Sequence, residues 1–209
     1  MNQYDSLNRV AGGVSRETYE QLLAFEKLFQ RWNRSINLAA SGAQDDFWIR
    51  HILDSAQLWR LRGTASDWTD IGSGGGLPGL VIAILGAPSG LTATLVESNQ
   101  KKSAFLRSVA VELGLTVVIR SERIEAATEF LTPSLVSARA LAPLKRLLEL
   151  TERWLAPGRG RALFPKGRDF QQEIHAARDH WQFDLVEHAS MVDAMSRVLE
   201  LSNVQRLEH

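Results

Sequence analysis

Glycine dominates the stretch DIGSGGGLPG at residues 70–79, where four glycines fall within positions 72–76. Glycine at this density weakens strands and helices, and it lets a backbone turn sharply and approach another molecule closely. A helix is predicted to begin near Pro78, because proline suits the first helical turn. A strand, a glycine-rich turn and a helix in this order are typical of a site for a nucleotide cofactor, whose negative groups face the amides at the helix N-terminus.

Two classes of cofactor fit the spacing of these glycines. Gly74, Gly76 and Gly79 match the G-x-G-x-x-G fingerprint of dinucleotide sites. Asp70, followed by Gly72, Gly74 and Gly76, matches instead the D/E-x-G-x-G-x-G turn of methyltransferases that use S-adenosylmethionine (SAM). The glycines alone leave both cofactors open.

Two acidic residues lie beside the predicted turn, and one of them, Asp70, favours SAM. Glu97 ends a predicted strand in LVESN, where its carboxylate can accept hydrogen bonds from the ribose diol of either cofactor. Asp70 ends the strand before the turn, where a carboxylate suits the cationic ammonium group of SAM and would repel a pyrophosphate. Both residues have structural alternatives, since Asp70 can cap the turn or the helix and Glu97 can be a solvated strand end.

Strands and helices alternate along most of the chain. Apolar spacing predicts helices over 16–33, 45–61, 78–85, 100–113, 143–155 and 170–180, and β-rich runs predict strands over 68–71, 92–96, 117–120, 135–137 and 162–164. Such alternation implies a parallel sheet. The last two apolar runs, QFDLVEHAS and SRVLELSNV, have only MVDAM between them, which predicts an antiparallel hairpin like the one that usually ends the sheet of SAM-dependent methyltransferases.

The predicted fold class is therefore α/β, of the class I SAM-dependent methyltransferase type. It consists of a Rossmann-like, mostly parallel seven-stranded sheet that ends in an antiparallel hairpin, with a helical N-terminal extension. We expect residues 1–64 to form the extension and residues 65–206 the methyltransferase domain. Residues 207–209 are interpreted as the beginning of an expression tag.

Composition excludes several classes of protein. The 209 residues are 44% hydrophobic, which is ample for a packed core, and the absence of cysteine excludes disulfides and thiolate chemistry. No apolar run approaches the roughly 20 residues of a membrane span, and the N-terminus has no apolar core like that of a secretory signal. We expect a cytoplasmic protein that acts as a monomer.

Charge is unevenly distributed, although the formal total is zero. Residues 101–168 contain 13 basic and 6 acidic side chains, while the segments on both sides are acidic. A segregated field of this kind favours a polyanionic partner.

The most basic run, PGRGRALFPKGRD, predicts an RNA-binding surface. Arg159, Arg161, Lys166 and Arg168 surround Phe164 in this run, and cations beside an aromatic ring suit unpaired RNA. Phe164 lies in a β-rich segment and is expected in the core. Lys166, near the carboxyl end of its predicted strand, is the stronger candidate for contact with RNA.

Six segments resemble the RsmG or GidB family of bacterial 16S rRNA guanine-N7 methyltransferases. They are WNRSINLAA (32–40), RHILDS (50–55), DIGSGGGLPG (70–79), SERIE (121–125), SARA (137–140) and LFPKG (163–167), in the order and at the spacing of the family. Gly75 stands where relatives often have proline, and SARA varies a motif commonly seen as SRA. Neither departure removes a group that the chemistry needs.

The resemblance implies a cofactor, a partner and a set of contacts. The cofactor would be SAM, the partner 16S rRNA or the small ribosomal subunit, and the methyl acceptor N7 of a guanine. Gly72 and Leu77 in the turn would contact SAM, Ile124 and Glu125 would lie by its adenine, and Arg139 would line the same site. Leu77 and Ile124 can also be core residues, and Arg139 can also pair with a carboxylate.

The same resemblance implies that the segment RHILDS lies beside the substrate. Arg50 and His51 are therefore candidate RNA contacts. Helical spacing itself predicts an i,i+4 ion pair between Arg50 and Asp54. A metal ion held by His51 and Asp54 is not expected, because no third ligand is nearby in the sequence.

The available residue types narrow the reaction. Methylation at carbon-5 of pyrimidines usually needs a cysteine nucleophile, and exocyclic amines usually need an (N/D)-P-P-(Y/F) motif where this chain has ARAL at 138–141. Guanine N7 fits what remains, because its free lone pair can attack the sulfonium methyl without prior loss of a proton. No catalytic acid or base is then required, and catalysis rests on alignment of the reacting atoms.

Two other functions remain open from the sequence. A nicotinamide-dependent oxidoreductase fits the G-x-G-x-x-G spacing, although not Asp70 or the final hairpin. A non-catalytic assembly factor would keep the fold and bind rRNA without transferring a methyl group.

Overall fold

The computed structural model describes residues 2–38 and 47–208. Its strands are β1 (Asp67–Ile71), β2 (Thr92–Val96), β3 (Val117–Arg120), β4 (Leu135–Ser137), β5 (Arg161–Lys166), β6 (Trp181–Ala189) and β7 (Arg197–Arg206). They form one sheet in the order β3-β2-β1-β4-β5-β7-β6. Strands β1 to β5 are parallel, and β7 runs antiparallel to β5 and β6. The predicted fold class, with its terminal hairpin, is confirmed.

The α-helices of the described residues flank this sheet. They are α1 (Gln3–Ala11), α2 (Arg16–Ile36), α3 (Asp54–Ala56), α4 (Gly79–Gly86), α5 (Gln100–Glu112), α6 (Ile124–Ala127), α7 (Leu144–Leu155) and α8 (Phe170–Arg178). The helices predicted from the sequence do not include α1, although its buried residues Leu7, Val10 and Ala11 have helical spacing. Its caps are further signals, since the Asn2 side chain accepts a hydrogen bond from the Asp5 amide and Gly12 ends the helix in the left-handed conformation.

The segment 48–61 is helical, as predicted, but it is not one regular α-helix. A π-helix (Trp48–Leu53) leads into α3, which continues as a 3₁₀-helix (Gln57–Leu61). Residues 45–46 of the predicted helix, and residues 39–40 of the WNRSINLAA motif, lie outside the described residues. A π-turn is rare and is frequently found at functional sites, and this one contains both Arg50 and His51.

Two apolar cores cover the two faces of the sheet. On one face α2, α4 and α5 pack together through residues such as Phe29 and Phe105. On the other face α7 and α8 pack over β5, β6 and β7 through residues such as Leu148. Leu163 and Phe164 are consecutive on β5 and belong to different cores, as the alternation of side chains along a strand requires. Because α1 and α2 contribute to the first core, the N-terminal helices and the sheet share one hydrophobic interior.

The strand order reverses between β1 and β4. Strands β2 and β3 extend the sheet on one side of this point and β5 extends it on the other. In sheets of this kind the ligand binds outside the carboxyl ends of the strands, at the reversal. Asp70, at the carboxyl end of β1, lies in register with Leu95 of β2 and Ser137 of β4. The glycine-rich turn therefore begins where a ligand site is expected.

None of the helices described in residues 2–38 and 47–208 has the length and apolar character needed to cross a membrane.

Gly79 brings the first residue of α4 into close contact with β1 and β2. A Cβ atom at this position would lie 2.7 Å from Asp70 Oδ2 and 2.9 Å from Leu95 Cγ. We expect Gly79→Ala to lower the free energy of unfolding by about 1–3 kcal/mol, as overpacking of a core does. Urea denaturation measures this change.

Gly167→Ala is the matched control for that substitution. No heavy atom lies within 4 Å of a Cβ built at Gly167, so its free energy of unfolding should stay within about 0.5 kcal/mol of the wild type. A Gly79→Ala protein as stable as the control would contradict the close approach of α4 to the two strands.

Candidate active site

Three glycines of the turn adopt a backbone conformation that other residues avoid. Gly72, Gly74 and Gly76 have φ angles of 64°, 54° and 80°, in the left-handed region that favours glycine. A Cβ atom at Gly72 would lie 2.6 Å from Cδ1 of Leu141. The turn therefore needs glycine for its shape and, at Gly72, for the close approach of the loop after β4.

Glu97 connects this turn to the carboxyl end of β2. Its Oε2 atom accepts a hydrogen bond of 2.8 Å from the Gly74 amide, and its Oε1 atom accepts one of 2.7 Å from the Asn99 amide. The Ser73 amide donates to the carbonyl oxygen of Val96 at 3.1 Å. The residue predicted to bind ribose thus also fixes the turn beside it.

Asp70 lies beneath the turn. The residue is 1% exposed, and its Oδ2 atom accepts a hydrogen bond of 3.1 Å from the Gly79 amide. Its Oδ1 atom accepts one of 2.6 Å from Ser137 Oγ, which in turn accepts one of 2.8 Å from Trp68 Nε1. These contacts match the structural alternative for Asp70, in which the carboxylate caps α4 and joins β1 to β4. The predicted contact with the ammonium group of SAM finds no support in this geometry, because both oxygens are buried and engaged.

Burial raises the pKa of Asp70 from an ordinary value of 3.8 to about 6, although hydrogen bonds from Ser137 and Gly79 and the charge of Arg139 act in the opposite direction. A buried carboxylate loses the hydration of its charged form, and the protonated form is favoured accordingly.

The other predicted cofactor residues differ in exposure. Leu77 is 8% exposed and belongs to the first core, so its core alternative is observed. Ile124 is half-buried and packs against the second core, while Glu125 is exposed at the start of α6. Glu125 Oε1 accepts a hydrogen bond of 2.7 Å from Arg146 Nη2. Both residues lie beyond the carboxyl end of β3, on the same edge of the sheet as Glu97.

A cleft of about 510 Å³ opens at the carboxyl ends of β4 and β5. Leu141, which contacts the position of Gly72, lines this cleft, so the cleft adjoins the glycine-rich turn. The lining also includes residues from the helical segment 48–61, from the loop after β4 and from the β6–β7 loop: His51, Asp54, Gln57, Arg139, Ala140, Lys166, Gly167, Glu173, Ser190, Ser196 and Arg197.

Arg139 joins the two halves of this cleft. Its Nη1 atom donates to the Arg50 carbonyl and to Asp54 Oδ2, both at 3.0 Å, and its Nη2 atom lies 2.9 Å from His51 Nδ1. The structural alternative for Arg139, pairing with a carboxylate, is therefore observed. The predicted i,i+4 pair is wrong, because Asp54 is paired with Arg139 and the side chain of Arg50 is exposed. No local spacing signals a partner 85 positions away.

The ionisable groups next to Arg139 are perturbed. Burial, followed by the charges of Arg139 and Arg50, lowers the pKa of His51 to about 4. Burial raises the pKa of Asp54, and the charge of Arg139 opposes that change. No group of three or more potential metal ligands occurs in the described part of the chain.

Lys166 lines the cleft but is not a free cation. Its Nζ atom donates to the Ala142 carbonyl at 2.8 Å and to Glu173 Oε2 at 2.7 Å, and its side chain is 8% exposed. Glu173 Oε2 also accepts from the Leu144 amide at 2.6 Å. The sequence-based expectation of direct RNA contact by Lys166 is not supported, because the ammonium group holds the loop between β4 and α7. In that loop Ala140 has a φ angle of 51°, a strained conformation for alanine.

The predicted RNA surface around Phe164 does not exist as one surface. Phe164 is fully buried, and the six residues of β5 span about 17 Å. Arg159 and Arg161 lie at the amino end of that strand and Arg168 follows its carboxyl end. Arg161 also donates to Glu200 Oε1 and to the Leu61 carbonyl. Only Arg168, which is exposed, is on the side of the cleft.

Solved structures that share this fold include proteins in complex with SAM and with SAH. MtNAS in complex with S-adenosylmethionine matches with a TM-score of 0.59 and 14% identity over 94% of this chain and 77% of that chain. An O-methyltransferase from Bacillus cereus, in complex with SAH, matches with a TM-score of 0.59 and 13% identity over 86% of this chain and 90% of that chain. The chain therefore has the class I fold of SAM-dependent methyltransferases.

Sequence comparisons also show the family to which this chain belongs. The model of the GidB family, rRNA small subunit methyltransferase G, matches residues 18–202. Proteins named ribosomal RNA small subunit methyltransferase G from Brucella canis and Brucella suis are 50% identical to this chain over 206 residues, which is 98% of this chain and 96% of each relative. The chain belongs to the GidB family, and an oxidoreductase function is set aside.

The residues at the turn fit SAM. The backbone at Gly74 faces open space, since a Cβ atom built there would meet only the Gly72 carbonyl at 3.7 Å, and the Glu97 carboxylate is held at the adjoining strand end. Ser137, which the sequence analysis does not single out, supports this arrangement from β4. Its role depends on the register between β4 and β1, which local sequence does not reveal.

The raised pKa of Asp70 predicts a specific pH dependence of stability. In the folded chain the carboxyl group stays protonated up to about pH 6, whereas in the unfolded chain it ionises near 3.8. Between these values the folded state binds more protons, so its stability falls as pH rises. Relative to Asp70→Asn, the wild-type free energy of unfolding should fall by up to about 3 kcal/mol between pH 4 and pH 7.

Urea denaturation at a series of pH values measures this difference, and Asp169→Asn, at an exposed position, is the control. The control should follow the wild-type pH dependence. If the difference between wild type and Asp70→Asn is constant over this range, Asp70 does not have the raised pKa.

Proposed function

We propose that this chain transfers a methyl group from SAM to N7 of a guanine in 16S rRNA of the small ribosomal subunit. Membership of the GidB family supports the substrate class. One structural observation supports the acceptor atom: the two potential general bases beside Arg139, His51 and Asp54, are held in hydrogen bonds within the protein. A reaction of this kind in a bacterium takes place in the cytoplasm.

The proton acceptors that line the cleft differ in how far they are engaged. His51 Nδ1 faces the Arg139 guanidinium, which can only donate. Asp54 accepts a hydrogen bond on each oxygen, from Arg139 and from Gln57. Glu173 accepts from Lys166 and the Leu144 amide on the same oxygen, Oε2. A general base must lie within hydrogen-bond reach of the proton and have a free lone pair directed at it. Methylation at N7 requires no such base.

The protein's contribution is then binding and alignment. SAM, when bound, supplies an electrophilic methyl group. Gly72, Gly74 and Gly76 allow the backbone to pass close to it, Glu97 accepts hydrogen bonds from its ribose, and Ile124 and Glu125 lie by its adenine, as the family resemblance implies. Asp70 has a supporting role, since its buried carboxylate fixes the start of α4 under the turn.

The guanine base occupies this cleft, which adjoins the glycine-rich turn at Leu141, so that N7 can reach the methyl group. Exposed cations around the cleft are suited to the phosphates of the RNA: Arg50 precedes His51, and Arg168 follows Gly167. Arg159, which is exposed near the amino end of β5, is suited to a more distant part of the RNA, whereas Arg161 is engaged by Glu200 and the Leu61 carbonyl. Holding N7, the methyl carbon and sulfur nearly in line can contribute several kcal/mol to the lowering of the barrier.

The direct test combines the protein, methyl-labelled SAM and 16S rRNA, either free or in small subunits, followed by nucleoside analysis. We expect label in 7-methylguanosine with at least one of the two substrates, and background label without the protein. Label in another nucleoside would show a different acceptor. RNA binding that ignores SAM, without methyl transfer, would identify a non-catalytic assembly factor.

A second prediction concerns the pH dependence of methyl transfer. With binding saturated, the single-turnover rate constant should vary by less than about threefold between pH 7 and pH 9, because no required base titrates there. The pKa values of His51 and Asp70, about 4 and about 6, both lie below this range. A rise of about tenfold per pH unit would reveal a required base and would refute the proposed mechanism.

A further inference from the structure

The β6–β7 loop, residues 190–196, lies at the rim of the cleft. Strand β7 begins opposite the carboxyl end of β5, so the loop is on the same side of the sheet as the cleft. Ser190 and Ser196, at the two ends of the loop, line the cleft. The Met191 amide donates a hydrogen bond of 2.9 Å to Oε1 of Gln57, which also lines it. The loop is therefore attached to the helical segment 48–61 at the entrance of the site.

Side chains of the loop itself hold it in one shape. Ser190 Oγ accepts hydrogen bonds from the amides of Val192 and Asp193, both at 3.2 Å. Asp193 Oδ1 accepts one of 3.0 Å from the Met195 amide, and its Oδ2 atom accepts one of 2.6 Å from the Ser196 hydroxyl. Because the loop is already ordered, a partner that binds to it pays little for ordering it.

Two apolar side chains of this ordered loop are exposed. Val192 is half-buried and packs against the first core, whereas Met191 and Met195 are 40% and 63% exposed. Single exposed apolar residues are common on protein surfaces, but these two are on one fixed loop beside the cleft. The methionine side chain adapts its shape to a partner, and its sulfur makes favourable contacts with aromatic rings.

The charges near this loop suit a partner with phosphate groups. Arg197 lines the cleft, and its Nη1 atom donates to two carbonyls of the loop at 2.8 and 2.9 Å. Hydrogen bonds within the loop, and then the charge of the exposed Arg168, lower the pKa of Asp193, so this acid is engaged by the loop and balanced by Arg168. Cations beside an apolar surface match unpaired nucleotides, whose bases have apolar faces and whose phosphates are anionic.

A base that enters a cleft must leave the stack formed with its neighbours. The neighbouring base then loses a stacking partner, at a cost of about a few kcal/mol. Architectural DNA-binding proteins place apolar side chains, methionine among them, against bases unstacked in this way. The loop provides two methionines at the entrance through which the proposed function brings the guanine.

We propose that Met191 and Met195 form the surface on which the nucleotide next to the target guanosine stacks while the guanine is in the cleft. This assignment rests on the proposed function and names a part of the RNA that the cleft itself does not hold. Arg168 and Arg197 are placed to bind the phosphates of the same nucleotide. The RNA backbone would then cross the rim of the cleft at the β6–β7 loop.

The test repeats the labelling reaction with a substrate in which one of the two nucleotides that flank the methylated guanosine is abasic. The substrate is the free RNA or the small subunit, whichever receives label. Single-turnover rates are measured with saturating SAM and with the RNA below saturation, where binding and reaction both contribute. For the wild type we expect one of the two abasic substrates to react about 3- to 10-fold more slowly than the intact one, as for a contact between methionine and an aromatic ring.

The ratio of the rates on the intact and the abasic substrate is then compared among variants. In the double variant Met191→Ser/Met195→Ser the ratio should approach one, mainly through loss of the rate on the intact substrate. In Met191→Leu/Met195→Leu, which keeps an apolar surface, most of the ratio should remain. Val111→Ser is the control and should keep the wild-type ratio, since Val111 is 82% exposed on α5, a helix that contributes no residue to the described lining of the cleft.

Oxidation of the two methionines gives a measurement that does not depend on catalysis. Hydrogen peroxide should convert both exposed side chains to the sulfoxide in the free protein, as measured by mass spectrometry. The intact substrate, added with S-adenosylhomocysteine, which cannot donate a methyl group, should slow this oxidation severalfold. The abasic substrate that reacts slowly should protect the methionines less.

The outcomes separate this assignment from the proposed function. A wild type that methylates both abasic substrates at the intact rate would overturn the stacking surface and leave the proposed function in place, as would a double serine variant with the wild-type ratio. Equal protection by intact and abasic substrates would show that another part of the RNA, or a ribosomal protein, covers the methionines, and would also overturn it. A wild type that forms no 7-methylguanosine would overturn the proposed function and this assignment with it.

Discussion

The guanidinium group of Arg139 joins the helical segment 48–61 to the loop after β4, and the cleft depends on this connection. It extends from the loop after β4 and binds three consecutive features of the helical segment 48–61: a carbonyl, a carboxylate and an imidazole. These groups come from the N-terminal third of the chain, while Lys166 and Glu173 come from its C-terminal third. A planar fork of donors can satisfy several acceptors at once, so one side chain sets the distance between the N-terminal helices and the sheet. The π-helix and the first residue of α3 present these acceptors together on the side that faces Arg139.

At Asp70, another charged side chain holds several parts of the structure together. Burying a carboxylate is costly, and the raised pKa of Asp70 expresses that cost. The buried carboxylate in exchange fixes the geometry of this region, because its two oxygens connect Ser137 of β4 and the first amide of α4 to the end of β1. The glycine-rich turn is thus held from below by Asp70 and from the side by Glu97, and its backbone is fixed before any ligand arrives. Binding then requires little ordering of the turn itself, which favours affinity.

The sequence predicts the strands, most helices and the turn, because these depend on local apolar spacing and on glycine. It does not predict which side chains meet. Asp54 is four residues from Arg50, yet its partner is Arg139, and the basic residues that cluster in PGRGRALFPKGRD are separated by the length of β5. Lys166 is near the end of its strand, as expected, but its charge is used within the protein. In each case the outcome depends on strand register and on the packing of distant segments, which spacing along the chain does not contain. The direct contacts of the predicted cofactor residues with SAM stay predictions.

The pairing of the acceptors next to Arg139 has a consequence for how this site can discriminate among bases. His51 Nδ1 and both oxygens of Asp54 hold hydrogen bonds within the protein, so these atoms contribute little to recognition of the amino groups that a base donates. Of the four bases, guanine offers the richest set of acceptors on the edge that includes N7, and that edge is recognised by donors. The network of hydrogen bonds that converges on Arg139 therefore occupies two potential general bases and, by the same contacts, favours a base that is recognised through its acceptors.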